Sequence, residues 1–235
     1  MFEQTGGAYL GYYSYMIYVL PGLILALYAQ SKITKNYAKY SRIRNSRSLT
    51  GAEVARIILD RNGLNDVSIK KINGTLTDHY DPRDKSLSLS ENVYEGASIA
   101  SAAVAAHEVG HAIQDKESYR PLALRQTLAP AAQIGSNFAI TLVIIGMFLS
   151  EVLINLGVAL FVVAVLFTII TLPVEIDASK RAKLQLADNI MTDQELVGAE
   201  NVLSAAAMTY LASMITAIGN LLRILAISNS RNRRD

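Results

Sequence analysis

Four runs of this chain are apolar over about the 20 residues that a helix needs to cross a bilayer core. Nothing else in the sequence limits its folding so strongly. They cover residues 8–29, 130–149, 152–172 and 202–222. The first carries Tyr9, Tyr12, Tyr13, Tyr15 and Tyr18, the pattern of an interfacial aromatic belt. Before Ala8 the only charged side chain is Glu3, so the positive n-region of a cleaved signal is missing and an uncleaved anchor is expected. Lys32, Lys35, Lys39, Arg42, Arg44 and Arg47 follow at once, which sets that end as cytoplasmic and the N-terminus as external. The second and third runs are separated by little more than Ser150-Glu151, so they form a hairpin that turns outside and returns inside. Pro173 is expected to break its second arm. The fourth run differs, because Thr209, Ser213, Thr216, Asn220 and Arg223 recur at spacings of three and four and draw a polar stripe. Crossing would also leave Arg231, Arg233 and Arg234 outside, so this helix is expected to pack on the protein body or lie at the interface.

Between the first two runs lies a polar segment. Thr50-Gly51-Ala52-Glu53 reads as a capping box that opens an amphipathic helix over 51–62, closed by Gly63. Strand-like runs follow at Val67–Ile72, Leu76–Tyr80 and Ser86–Ser90, with turn signals at Asn73-Gly74 and Asp81-Pro82-Arg83-Asp84. A small β-meander is expected there. The next helix should run from near Ser98 to about Asp115, and Pro121 should open another. The chain thus divides into an anchor (1–30), a cytoplasmic catalytic part (31–129), a transmembrane hairpin (130–172), a helical segment (173–200), and a C-terminal apolar helix with a basic tail (201–235). The fold class is mainly α with a small β-meander, built on about three transmembrane helices.

Two of the three histidines stand in Ala106-His107-Glu108-Val109-Gly110-His111, an H-E-x-x-H pattern in alanine-rich, proline-free sequence that favours helix. One turn apart, His107 and His111 offer their imidazoles to one cation. Glu108, about 100° round the helix, stands where a general base takes a proton from an activated water. Catalytic zinc takes three protein ligands and keeps one position open. Cysteine is absent, which excludes disulfides, thiolate ligands and cysteine nucleophiles and points to a carboxylate as third ligand. Glu175 comes back to the cytoplasmic side directly after the hairpin. Asp177 is the rival, but two residues on it faces a different way and has Arg181 as an i+4 partner.

These segments resemble the bacterial neutral zinc metallopeptidases of the membrane. The likeness covers nearly the whole chain and is sharpest at Leu76–Pro82, Ala105–Gln114 and Leu172–Ser179. More distantly the chain is similar to the gluzincin membrane proteases, including the prenyl-protein endopeptidase and the heat-shock-induced membrane protease. The resemblance implies zinc held by His107, His111 and Glu175, with Glu108 as catalytic base. It also implies an oxyanion stabiliser, for which Arg223 occupies the corresponding region of the chain; His79 is the other choice. The chain departs from those relatives in carrying Ser179 where they have an aspartate four residues after the ligand glutamate.

The expected activity is endoproteolysis at the cytoplasmic face of the cell membrane, in a multi-pass protein acting on a peptide or membrane-protein substrate. The run 76–80 could take an extended peptide as an added strand. A competing expectation is a scaffold whose zinc is structural, closed by His79 or Asp177 as fourth ligand; Glu108 would then have no task. A transporter is disfavoured, because no span carries an acid or base near its midplane. A formal net charge of +2 gives no reason to expect a nucleic-acid partner, and a homo-oligomer stays open.

Overall fold

The computed structural model describes the backbone of residues 3–232 and the side chains of residues 16–226. The side chains of Tyr9, Tyr12, Tyr13 and Tyr15, and of Arg231, Arg233 and Arg234, lie outside the described residues. Among the described residues seven helices and three strands follow one another: α1 Glu3–Tyr40, α2 Gly51–Arg61, β1 Ser68–Ile72, β2 His79–Asp81, β3 Ser86–Ser90, α3 Glu91–Tyr94, α4 Ile99–Lys116, α5 Arg120–Leu149, α6 Glu151–Ala187 and α7 Asp193–Asn232. The chain forms two compact units. One gathers the chain up to Tyr28, Leu124–Leu172 and the chain from Thr209 on; the other comprises Ala29–Ala123 and Pro173–Met208.

In the second unit, α2 opens on the expected capping box: Glu53 N–H donates to Thr50 Oγ1 at 3.2 Å and Thr50 N–H to Glu53 Oε2 at 2.8 Å. Gly63, at φ +63°, lets the chain leave the helix. The apolar face of α2 packs Val54, Ile58 and Leu59 into a core with Leu87 and Leu89 of β3 and the alanines of α4. Burying each of these large side chains contributes roughly 1.5–3 kcal/mol. The alanines matter for a different reason. Small side chains on most sides of α4 let several elements close on the helix that carries the histidines.

The sheet is not a meander. Its order is β1-β3-β2, with β1 parallel and β2 antiparallel to β3. All five residues of β3 are buried, which suits a central strand, whereas β1 and β2 keep exposed positions as edges do. The expected strand at Leu76–Tyr80 shortens to His79–Asp81 because Leu76 adopts φ +55° and Asp78 turns its carboxylate to Ser90, accepting from its N–H at 2.7 Å. The link from β1 to β2 is therefore a loop rather than a tight turn, and β3 fits between them.

Helices α1, α5, α6 and α7 are each long and apolar enough to cross a membrane, by length and composition. In the first unit, α5 and α6 form the expected hairpin about Ser150 and cross closely: a Cβ at Gly157 would lie 2.7 Å from the Ala139 carbonyl oxygen. Their contact is filled by Ala139, Val143, Ile154 and Phe161. One expectation is corrected. Pro173 does not break α6, which runs on unbroken to Ala187. The hydroxyls of Thr168 and Thr171 donate to the Val165 and Phe167 carbonyls in the turns before it. The 202–222 run extends at both ends into the single 40-residue helix α7, which is long and apolar enough to cross a membrane by length and composition. Three residues of its polar stripe, Ser213, Thr216 and Asn220, line a cavity of about 610 Å³ with Gln133, Phe161 and Thr168.

Candidate metal centre

Helix α4 starts on a firm cap, with Ser98 Oγ accepting from Ser101 N–H at 3.0 Å, and runs unbroken through the H-E-x-x-H residues. One turn apart, the rings of His107 and His111 stand edge to face, centroids 4.9 Å apart at 84°. The third group comes from α6. A Cβ at Gly110 would lie only 2.6 Å from the Ala178 carbonyl oxygen, so the glycine inside the motif is what lets α6 close on α4. That approach puts Glu175 Oε2 at 3.1 Å from His107 Nε2 and 3.6 Å from His111 Nε2. One ligand atom from each of His107, His111 and Glu175 falls within 4.8 Å of the others.

A carboxylate only 2% exposed needs a cationic partner or its ionised form is heavily penalised. The outer nitrogens are engaged elsewhere. His111 Nδ1 lies 3.0 Å from Gln114 Oε1, while Gln114 Nε2 donates to the Val174 carbonyl and to Asp177 Oδ2, each at 2.8 Å. Because the amide nitrogen is committed there, Gln114 presents oxygen to the ring. His111 Nδ1–H then donates and Nε2 keeps its lone pair for the centre. His107 Nδ1 lies 3.1 Å from Ser179 Oγ in the same way. This pattern, both Nε2 atoms turned inward and both Nδ1 atoms held from outside, is that of imidazoles oriented for a metal. Burial pushes the Glu108 carboxyl up from its ordinary range, with the two imidazoles drawing it partly back. For His111, burial draws the imidazole down, but Glu175 and Glu108 outweigh it and the net direction is up.

Asp177 is turned away from the trio, taking Gln114 and the i+4 partner Arg181 at 2.5 Å; Arg181 also reaches Glu117 at 2.6 Å. His79 is exposed on β2, its Nδ1 2.9 Å from the Thr77 carbonyl. Arg223 belongs to the other compact unit. His79 is not part of the His107–His111–Glu175 group.

A family model described as "Putative neutral zinc metallopeptidase" matches residues 15–229. The chain belongs to this family. It is 46% identical over 215 residues to "Putative membrane protease YugP" of Bacillus subtilis (strain 168), covering 91% of this chain and 96% of that protein. No solved structure matches it. The family's name carries zinc, and two imidazole nitrogens with one carboxylate oxygen are a donor set that zinc takes in hydrolases.

Within this zinc peptidase frame, Gln114 and Ser179 are residues that the motif alone does not single out. Gln114 had a signal, as a polar residue one turn after His111 on an otherwise apolar helix. Ser179 had its place four residues after Glu175, where the relatives that the chain resembles carry an aspartate.

Proposed function

We propose that the protein is a membrane-embedded zinc endopeptidase working at the cytoplasmic face, with His107, His111 and Glu175 holding the metal and Glu108 as general base. The observation that carries this reading is the convergence of Glu175 on the two histidines, with Glu108 next to His107 on the same helix. Bound there, zinc supplies Lewis acidity towards water and towards the scissile carbonyl. Glu108 takes the proton from the attacking water and passes it to the leaving amine nitrogen. Gln114 and Ser179 keep both imidazoles in the tautomer and rotation that the ligand role needs. The structural-zinc alternative asks for a fourth protein ligand, and the engagement of Asp177 with Gln114 and Arg181 favours a position left for water instead.

The cytoplasmic orientation is supported by the basic residues that follow the first apolar run and by Glu175 following the hairpin. The substrate is a peptide or a membrane protein. Glu108→Gln tests the reading, since it keeps size and removes the base. Zinc content should hold while peptide hydrolysis falls by at least about 100-fold. Hydrolysis at the wild-type rate would remove Glu108 from the mechanism.

A further inference from the structure

A second cleft, of about 520 Å³, opens beside the start of α4. Its walls are fixed by backbone. Ile99 N–H donates to the Ile43 carbonyl at 2.9 Å, Asn45 N–H to the Ala97 carbonyl at 3.0 Å, and Arg44 and Ser98 form a β-bridge. Tyr37, Arg42 and Arg44 line one side, with Asn92, Ser98 and Ser101 on the other. The lining holds two guanidinium groups and no carboxylate.

Among the described residues the Arg42 guanidinium has no hydrogen-bonding or ion-pair partner, and neither has the Tyr37 hydroxyl. Arg44 commits only its Nε, to Ser48 Oγ at 3.0 Å. Two other exposed cations of this unit are paired, Lys70 with Asp84 and Lys85 with Asp66. The first turn of α4 is itself capped by Ser98, so the guanidinium groups and the phenol are the donors on offer. Such donors match a carboxylate.

One residue of the cleft's lining, Ser101, stands on the helix that carries the metal centre. Ser101 and Glu108 are two helical turns apart on one face of α4, about 10 Å along the axis. That is about the reach of three extended peptide residues.

We infer that this cleft is a substrate subsite for a carboxylate, an acidic side chain about three residues from the scissile bond or the peptide's own C-terminus. The inference rests on the proteolytic reading and adds an anionic preference to it. Its test uses the full chain in neutral-lipid nanodiscs and matched peptides carrying Glu or Gln three residues to either side of a cleaved bond, each with a free or amidated C-terminus. Affinity is measured on Glu108→Gln and turnover on the protein with Glu108 intact.

One carboxylate peptide should bind about tenfold more tightly than its neutral match, and adding Arg42→Gln should erase that ratio. Arg42→Lys should restore part of it, as a point charge without the fork. Whether the Glu or the free C-terminus carries the ratio identifies the carboxylate's source. Equal affinities for all peptides, or a ratio untouched by Arg42→Gln and Arg44→Gln, overturn the subsite while proteolysis stands. Absence of turnover for every peptide overturns the proteolytic reading, whatever the binding shows. If phosphatidylglycerol in the nanodisc abolishes the preference in an Arg42-dependent manner, the occupant is a lipid headgroup and the peptide subsite is wrong.

Discussion

Gln114 is a fully buried amide, and a buried amide costs free energy unless both its ends are bonded. Here each end has a task, the oxygen on His111 and the nitrogen on α6. Gln114→Leu keeps the volume and removes both, so zinc affinity should fall about 10–100-fold, as chelator competition would measure. An unchanged affinity would mean that His111 needs no outer partner. Glu175→Ala should lose the metal, whereas Asp177→Ala should weaken it only through Gln114 and Arg181; the opposite order, read by zinc content after dialysis, would exchange their roles. Gly110→Ala pushes a methyl group at the Ala178 carbonyl, and such overpacking costs about 1–3 kcal/mol. It should lower the melting temperature and zinc occupancy together, and a variant with both intact would deny that the close approach sets the site. At this scale His107, Glu108 and His111 were legible because a helix turns every 3.6 residues whatever surrounds it. Gln114 and Ser179 were legible only by position, one turn after His111 and after Glu175, because their roles depend on how α6 is rotated against α4, which no local pattern encodes.

Between elements, β2 is tied to α4 through Tyr80, whose hydroxyl donates to Asp115 Oδ2 at 3.0 Å. Burial, then the Asp115 carboxylate, raise the Tyr80 phenol well above its ordinary value of 10.0. The folded protein therefore favours the neutral phenol, a stabilisation fully present below about pH 10 and lost as the pH climbs past that value. Tyr80→Phe should cost about 1 kcal/mol at neutral pH and flatten the loss of stability above pH 10 in thermal melts. An unaltered alkaline limb would contradict this. The strands themselves were legible as short β-branched and alternating runs between turn signals. Their order was not, since pairing β1 with β3 across β2 is a non-local choice made by burial of Ser86–Ser90. Pro173 misled for a similar reason: its local preference is to stop a helix, and the apolar setting of α6 overrides it.

For the whole molecule, four helices are long and apolar enough to cross a membrane, and the chain belongs to the family described as "Putative neutral zinc metallopeptidase". If the metal centre faces the cytoplasm, a single cysteine at exposed Ser46, in a chain that has none of its own, should resist an impermeant maleimide in intact cells and react after lysis. Labelling of intact cells would reverse the orientation. The central claim is a zinc held by three protein ligands with one position left for water, and its most direct test is to count those ligands. Zinc X-ray absorption on the purified full-length protein should give one metal per chain bound by two imidazole nitrogens at about 2.0–2.1 Å, one carboxylate oxygen and one oxygen from outside the protein. The imidazole signal should vanish in His107→Ala/His111→Ala. A shell closed by four protein ligands, or full zinc occupancy in that double variant, would contradict the account.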